Sequence, residues 1–213
     1  MSETSKANIL KKIKEALEQP TPLPFPKAEE IEDYLQPLQQ DLVVEFAEQF
    51  TKLQGKFVFC ADKKELVEQF KSLCYQKQWT QLYCVEDEWR SELELTQLHN
   101  DISTAEASVT GCEMLVARTG SIALSSTANN RIPSVYAPIH ICIAYTSQLV
   151  YDIKDALLSV RDKYQNSFPS LLTFATGPSR TADIEKTLVV GVHGPKEVYC
   201  FLVESPLPPG GGT

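Results

Sequence analysis

Residues 56–85 read KFVFCADKKELVEQFKSLCYQKQWTQLYCV, and this stretch decides the fold class. KFVFC (56–60) reads as a strand. Asp62 stands three residues ahead of Glu65, the spacing of a capping box, and Leu66, Val67, Phe70, Leu73 and Cys74 recur on one helical face. QLYCV (81–85) is a second strand. Strand, capped helix, strand is a βαβ unit, which implies a parallel sheet with a right-handed crossover.

Toward the amino terminus, a helical stretch over about 41–54 ends at Gly55. Before it, PTPLPFP (20–26) is an extended connector, because proline denies helix and ladder donors. Ser5 can cap a first helix carrying Ile9, Leu10, Ile13, Ala16 and Leu17 on one face, an arm expected to dock on its own core. Toward the carboxyl terminus a further helix is expected within 86–100. EMLVA, Arg118-Thr119-Gly120-Ser121 and IALSS then form a hairpin, with Gly120 supplying positive φ. IHICIAY (139–145) is apolar on both faces and hence a central strand. Asp152 to Asp155 opens a helix with Ile153, Ala156, Leu157 and Val160 inward, and LLTFAT and EVYCFLV (197–203) complete the α/β order. The expected organisation is an arm and connector over 1–26, an α/β domain over 27–204 with an open, mostly parallel sheet and a hairpin insertion, and a mobile tail, SPLPPGGGT, over 205–213.

The chain has 213 residues, a formal net charge of -8 and a pI near 5.0, which argues against a broad nucleic-acid or anionic-membrane surface. No apolar run approaches the ~20 residues of a membrane span, and MSETSKANILKKIKEAL has no secretory apolar region. The six cysteines form no C-x-x-C pair, which fits reduced, buried thiols in a cytoplasmic protein and argues against a zinc or iron–sulfur site on this chain.

Ligands of open α/β sheets bind at loops after the carboxyl ends of strands. Four polar loops are candidates: Thr119-Gly120-Ser121, Asn129-Asn130-Arg131, Gly177 to Thr181, and His193-Gly194. Gly177 turns the chain and Pro178 fixes φ before a helix that Ser179 or Thr181 can cap, so its free N–H groups and the Arg180 fork suit an anion. Asp183 and Glu185, in that helix's first turn, complement its dipole and oppose the anion. His193 lies in a turn, as a general acid or base or as a partner for backbone groups. His140 is expected to be a buried strand residue and His99 a surface one. Glu113 enters an apolar strand, where its pKa can rise or a partner can meet it. No Ser-His-Asp, metal-ligand or Walker pattern occurs.

Three segments, VTGCEMLVARTGSIALSS, RIPSVYAPIHICIAYTSQLV and GPSRTADIEKTLVVGVHGP, closely resemble the lactate utilization protein C family, the LUD-domain proteins, in matching order over about residues 40–204. The resemblance implies a Rossmann-like fold related to sugar-phosphate isomerases, CoA transferases and formyltetrahydrofolate cyclo-ligase. It implies a bacterial-type system in which this subunit works with two iron–sulfur proteins to oxidise L-lactate to pyruvate, the clusters lying on the partners and no cofactor on this chain. Carried over by position, the binding residues are Thr119, Gly120, Ser121, Arg131, Gly177, Ser179, Arg180, Thr181, Glu185 and Gly194, with His193 and Asp183 as catalytic candidates toward a small anionic substrate. Arg118 departs from the pattern, which has an acid before Thr-Gly-Ser. The alternatives are an independent enzyme acting on a phosphorylated or CoA-linked small molecule, and a purely structural partner. The expected pocket sets Ser179, Arg180 and Thr181 beside Thr119-Gly120-Ser121 with His193 at the rim.

Overall fold

The computed structural model describes residues 5–18, 40–95, 98, 101–127, 132–182 and 188–205. It divides into a unit spanning Met1–Pro37 and a unit spanning Leu38–Thr213. In the first, α1 (Ser5–Leu17) forms as its apolar spacing requires, and Ile9, Leu10 and Ile13 are exposed. The connector and residues 206–213 of the tail lie outside the described residues.

The second unit is α/β with a mostly parallel open sheet. Its first half contains α2 (Leu42–Lys52), β1 (Lys56–Cys60), α3 (Lys63–Lys77), β2 (Leu82–Cys84), α4 (Asp87–Glu92), β3 (Ala107–Thr110), β4 (Met114–Val116) and β5 (Ser121–Ser125). Its second half contains α5 (Pro133–Tyr136), β6 (Ile139–Tyr145), β7 (Leu149–Val150), α6 (Ile153–Tyr164), β8 (Leu172–Ala175), β9 (Arg180–Ala182), β10 (Leu188–Val190) and β11 (Glu197–Val203). Helix starts follow their caps. Asp41 accepts from the Val43 amide at 2.8 Å, and Asp62 from the Glu65 amide at 2.8 Å, while Glu65 reaches back to the Ala61 amide at 2.7 Å.

Five strands pair in the order β1-β11-β6-β3-β2, every pair parallel. β6 is central, as its two apolar faces demand. β1 and β2 lie at opposite edges, so the connection through α3 spans the whole sheet instead of joining neighbours. The reason is burial: β3, β6 and β11 are buried almost throughout, while β1 carries the exposed Lys56 and Phe59 and suits an edge. The expected hairpin forms between β4 and β5, with Gly120 at φ 58°, and widens into a second sheet, β7-β4-β5-β8.

The parallel sheet has a core on each face. On one, Leu66 and Phe70 of α3 and Trp89 of α4 cover Val109, Ile141 and Phe201. On the other, Phe46 and Phe50 of α2, stacked at 5.3 Å, join Leu115, Ile122 and Leu124 of the second sheet over Cys142, Cys200 and Leu202. Each large side chain so buried contributes roughly 1.5–3 kcal/mol of transfer free energy.

The helix expected within 86–100 is α4, six residues long. Two expectations are corrected. In α6, Ala156 and Val160 are buried but Leu157 is 43% exposed. Among the described residues no helix follows Gly177. The chain there pairs as an antiparallel ribbon, β9 with β10, in the register Val190↔Arg180 and Leu188↔Ala182. The Ser179 amide donates to Pro195 O and its carbonyl accepts from the Gly191 amide, both at 2.9 Å, which holds the backbone extended. Thr181, Val189 and Val190 are β-branched and favour that state.

Candidate functional site

The described candidate loops, at Thr119-Gly120-Ser121, Gly177 to Thr181 and His193-Gly194, gather at the amino edge of the parallel sheet, where β1, β6 and β11 begin, and not at the carboxyl edge where ligands were expected. Leu53 to Gly55 lead from α2 into β1, α5 leads into β6, and the turn at 191–196 leads into β11. The remaining loops are fastened to these segments. Gly120, at φ 58°, lies so close to α2 that a Cβ there would sit 2.6 Å from the Phe50 amide nitrogen. Gly177, at φ 80°, would place a Cβ 2.6 Å from Leu53 O. The Arg180 guanidinium donates to that same carbonyl at 2.5 Å. A cation on the last carbonyls of a helix is favoured by the dipole.

Pairing of Ile122 with Ala175 sets the ends of β5 and β8 side by side. A hydroxyl chain results: Thr119 Oγ1 lies 2.8 Å from Ser121 Oγ, which lies 2.9 Å from Thr176 Oγ1. The Thr119-Gly120-Ser121 loop thus meets Thr176, the residue before the Gly177 loop, at the carbonyl end of α2, where partial negative charge opposes an anion. Arg118, the departure from the family pattern, pairs with Asp152, the residue capping α6.

Ser179, His193 and Gly194 form the other half of the cluster. A Cβ on Gly194 would come within 3.0 Å of Ser179 Cβ, and the Ser179 backbone clamps both ends of the turn. Between this turn and α5 lies a groove of about 420 Å³, walled by Val135, Tyr136, Pro138 and Val192 and bearing His193 and Lys196. The stem of Lys196 crosses Gly191, where a Cβ would meet its Cγ at 2.2 Å, and Gly191 also has φ 82°. The Lys196 amide donates to Pro138 O at 2.7 Å, tying the two walls together. Among the described residues Lys196 enters no ion pair, whereas Lys56 pairs with Glu197 at the same edge. Arg131, Asp183 and Glu185 lie outside the described residues, and Thr181 is placed only as a backbone position in β9.

The carboxyl edge is closed by its own side chains. Glu86 accepts from the Gly111 amide at 2.7 Å, and Gln148 bonds Cys112 O at 2.7 Å and the Tyr145 amide at 2.8 Å.

Buried polar groups supply features that spacing did not. Glu113 accepts from Lys163 Nζ and Tyr164 OH, each at 2.7 Å, and from Ser125 Oγ. Burial pushes its pKa up, but the three donors outweigh it and hold the carboxyl below its ordinary value, so of the two alternatives the partner is the one met here. His140 is fully buried, with Nε2 2.8 Å from Thr110 Oγ1. Because that hydroxyl donates to Gly111 O, we assign the ring proton to Nε2; Nδ1 has no partner, and burial pushes the pKa down to about 4. The sequence-distant Cys112, Cys142 and Cys200 come together, and contact with Cys142 followed by burial pushes the Cys112 thiol well up. Only the alternation of IHICIAY and EVYCFLV, which points Cys142 and Cys200 to one face, foretells this meeting. No group of three His, Cys, Asp or Glu among the described residues is arranged to hold a metal ion. No described helix is long and apolar enough to cross a membrane.

These features define an α/β protein with a parallel sheet, a second mixed sheet packed on one face and polar loops at the amino edge. The LUD domain family model matches residues 43–203, and the chain belongs to that family. The chain is 33% identical over 107 residues to lactate utilization protein C of Deinococcus radiodurans, covering 49% of this chain and 50% of that protein. It is 35% identical over 102 residues to the Bacillus subtilis protein of that name, covering 46% and 42%. For the Geobacillus thermodenitrificans protein of that name it is 27% over 177 residues, covering 80% and 72%. The chain thus spans about half the length of the first two relatives. A crystal structure of a DUF162 family protein from D. radiodurans matches in fold with a TM-score of 0.56 at 19% identity, covering 78% of this chain and 99% of that one.

Proposed function

We propose that this chain is a component of a lactate utilization system, in which iron–sulfur partner proteins oxidise L-lactate to pyruvate and this chain presents the anionic substrate. The observation that carries the reading is membership of the LUD family over residues 43–203, with relatives named lactate utilization protein C. The cysteines support placing clusters on the partners. Cluster ligands are thiolates, and Cys60, Cys74 and Cys84 are pushed up to about 11, chiefly by burial, while Cys112 is also raised well above its ordinary value.

In this reading the substrate carboxylate lies in the amino-edge groove against Lys196, with the His193 imidazole beside it as proton donor or acceptor and Ser179 and Gly194 fixing the turn. Thr119, Gly120, Ser121, Gly177, Arg180 and Thr181 shape the neighbouring floor by closing α2 onto β5, β8 and β9. Arg131, Asp183 and Glu185 belong to adjoining segments and are proposed as further polar groups of the same face. The test is growth on L-lactate of a strain lacking this chain, complemented by wild type, His193→Ala or Lys196→Gln. The expected result is growth restored by wild type only; unimpaired growth of the deletion strain overturns the reading.

A further inference from the structure

The groove is built for more than a three-carbon acid. Its volume of about 420 Å³ falls in the ~300–1,000 Å³ range of sites that enclose drug-sized ligands, and lactate fills only a small part of that. Its walls are also wrong for a ligand that is polar throughout. Tyr136 is 60% exposed, Val192 53% and Val135 45%, and all three line the groove. Tyr136 and Val135 stand on α5, whose Pro133 and Ser134 are buried beneath them, so the wall is anchored. The opposite wall is the turn clamped by Ser179, and the Lys196 ammonium and the His193 imidazole are on that side. One wall thus offers an aromatic face and the other a positive end.

The geometry points to a ligand with a flat apolar or aromatic group that lies on Tyr136 and an anionic group, carboxylate or phosphate, that meets Lys196 and His193. Aromatic faces stack on flat rings in offset or edge geometry, and a lysine stem held over Gly191 keeps its charge near one end of the groove. This deepens the proposed function and rests on it for the location of the site: lactate occupies the anionic end alone, and the preferred ligand extends along α5.

The test is calorimetric titration of the full chain with phenyllactate and phenyl phosphate, against L-lactate and inorganic phosphate. At least one aromatic anion is expected to bind tenfold or more tightly than its parent anion. Which one does so tells whether the natural head group is a carboxylate or a phosphate. Tyr136→Ala is expected to abolish the advantage and Tyr136→Phe to keep it, while Lys196→Gln weakens aromatic and parent anions together. Tyr136 is exposed, so neither change threatens folding. Equal affinities, no binding by any of the four, or an advantage that survives Tyr136→Ala overturns the inference. L-lactate binding without an aromatic advantage sinks the inference and leaves the lactate reading standing. Aromatic binding alongside normal growth of the deletion strain on lactate does the reverse.

Discussion

His140 makes stability depend on pH in a window where few other groups titrate. Its ring is fully buried, its Nδ1 has no partner, and burial pushes its pKa down to about 4, against an ordinary value near 6.5. The sign follows from linkage. The unfolded chain takes up the proton first as pH falls below about 6.5, so stability present above that pH is lost progressively toward pH 4. Integrating between the two values gives a loss of about 2 kcal/mol from pH 7 to pH 5, and about 3 kcal/mol by pH 4. Carboxylates held low by their partners, such as Glu113, Asp152 and Glu197, lose their contributions only below about pH 4.5, beneath this window. The assay is urea unfolding of wild type and His140→Gln at pH 7, 6 and 5, with equal m-values required for the comparison. Other titrating groups are shared and cancel in the difference. The advantage of wild type over the variant should shrink by about 2 kcal/mol across the window. Parallel pH dependences would refute the reasoning.

Three further outcomes are expected. Gly120→Ala should destabilise by more than ~2 kcal/mol, because φ is 58° and the Phe50 amide is 2.6 Å from the new Cβ; the urea midpoint measures it. Arg180→Ala should cost about 1 kcal/mol, the worth of its bond to Leu53 O, and leave ligand affinity unchanged by calorimetry; a loss of affinity would return Arg180 to the binding site. Glu113→Gln and Lys163→Met should each cost about 1–3 kcal/mol by thermal or urea unfolding, because losing the lysine leaves the buried Glu113 carboxylate with only Ser125 and Tyr164 as donors.

Much of the fold is legible where one local rule dominates. KFVFC, IHICIAY and EVYCFLV form strands with the bounds their apolar runs suggest, and Asp62 and Asp152 cap helices where they stand. Strand order is not local. β11 enters between β1 and β6 because burial sorts strands by their faces, and nothing within residues 56–85 encodes that. The helix expected after Gly177 fails for a related reason. Gly-Pro-Ser reads as a helix start, but distant partners, Pro195 O and the Gly191 amide, take up the Ser179 backbone and impose an extended ribbon. The same distance effect moves the candidate site. Each polar loop follows a strand in sequence, yet Gly120, Gly177 and Arg180 are drawn to the end of α2 and so to the amino edge. Leu157 follows the helical period inward but meets no covering element among the described residues.

The most direct test of the amino-edge assignment is amide shift mapping by NMR on the full chain, titrated with L-lactate and with phenyllactate. Saturable perturbations are expected to cluster at Tyr136, Val192, His193, Gly194 and Lys196 and to vanish in Lys196→Gln. Perturbations centred instead on Gly111, Cys112 and Thr146, at the carboxyl ends of β3 and β6, would contradict it.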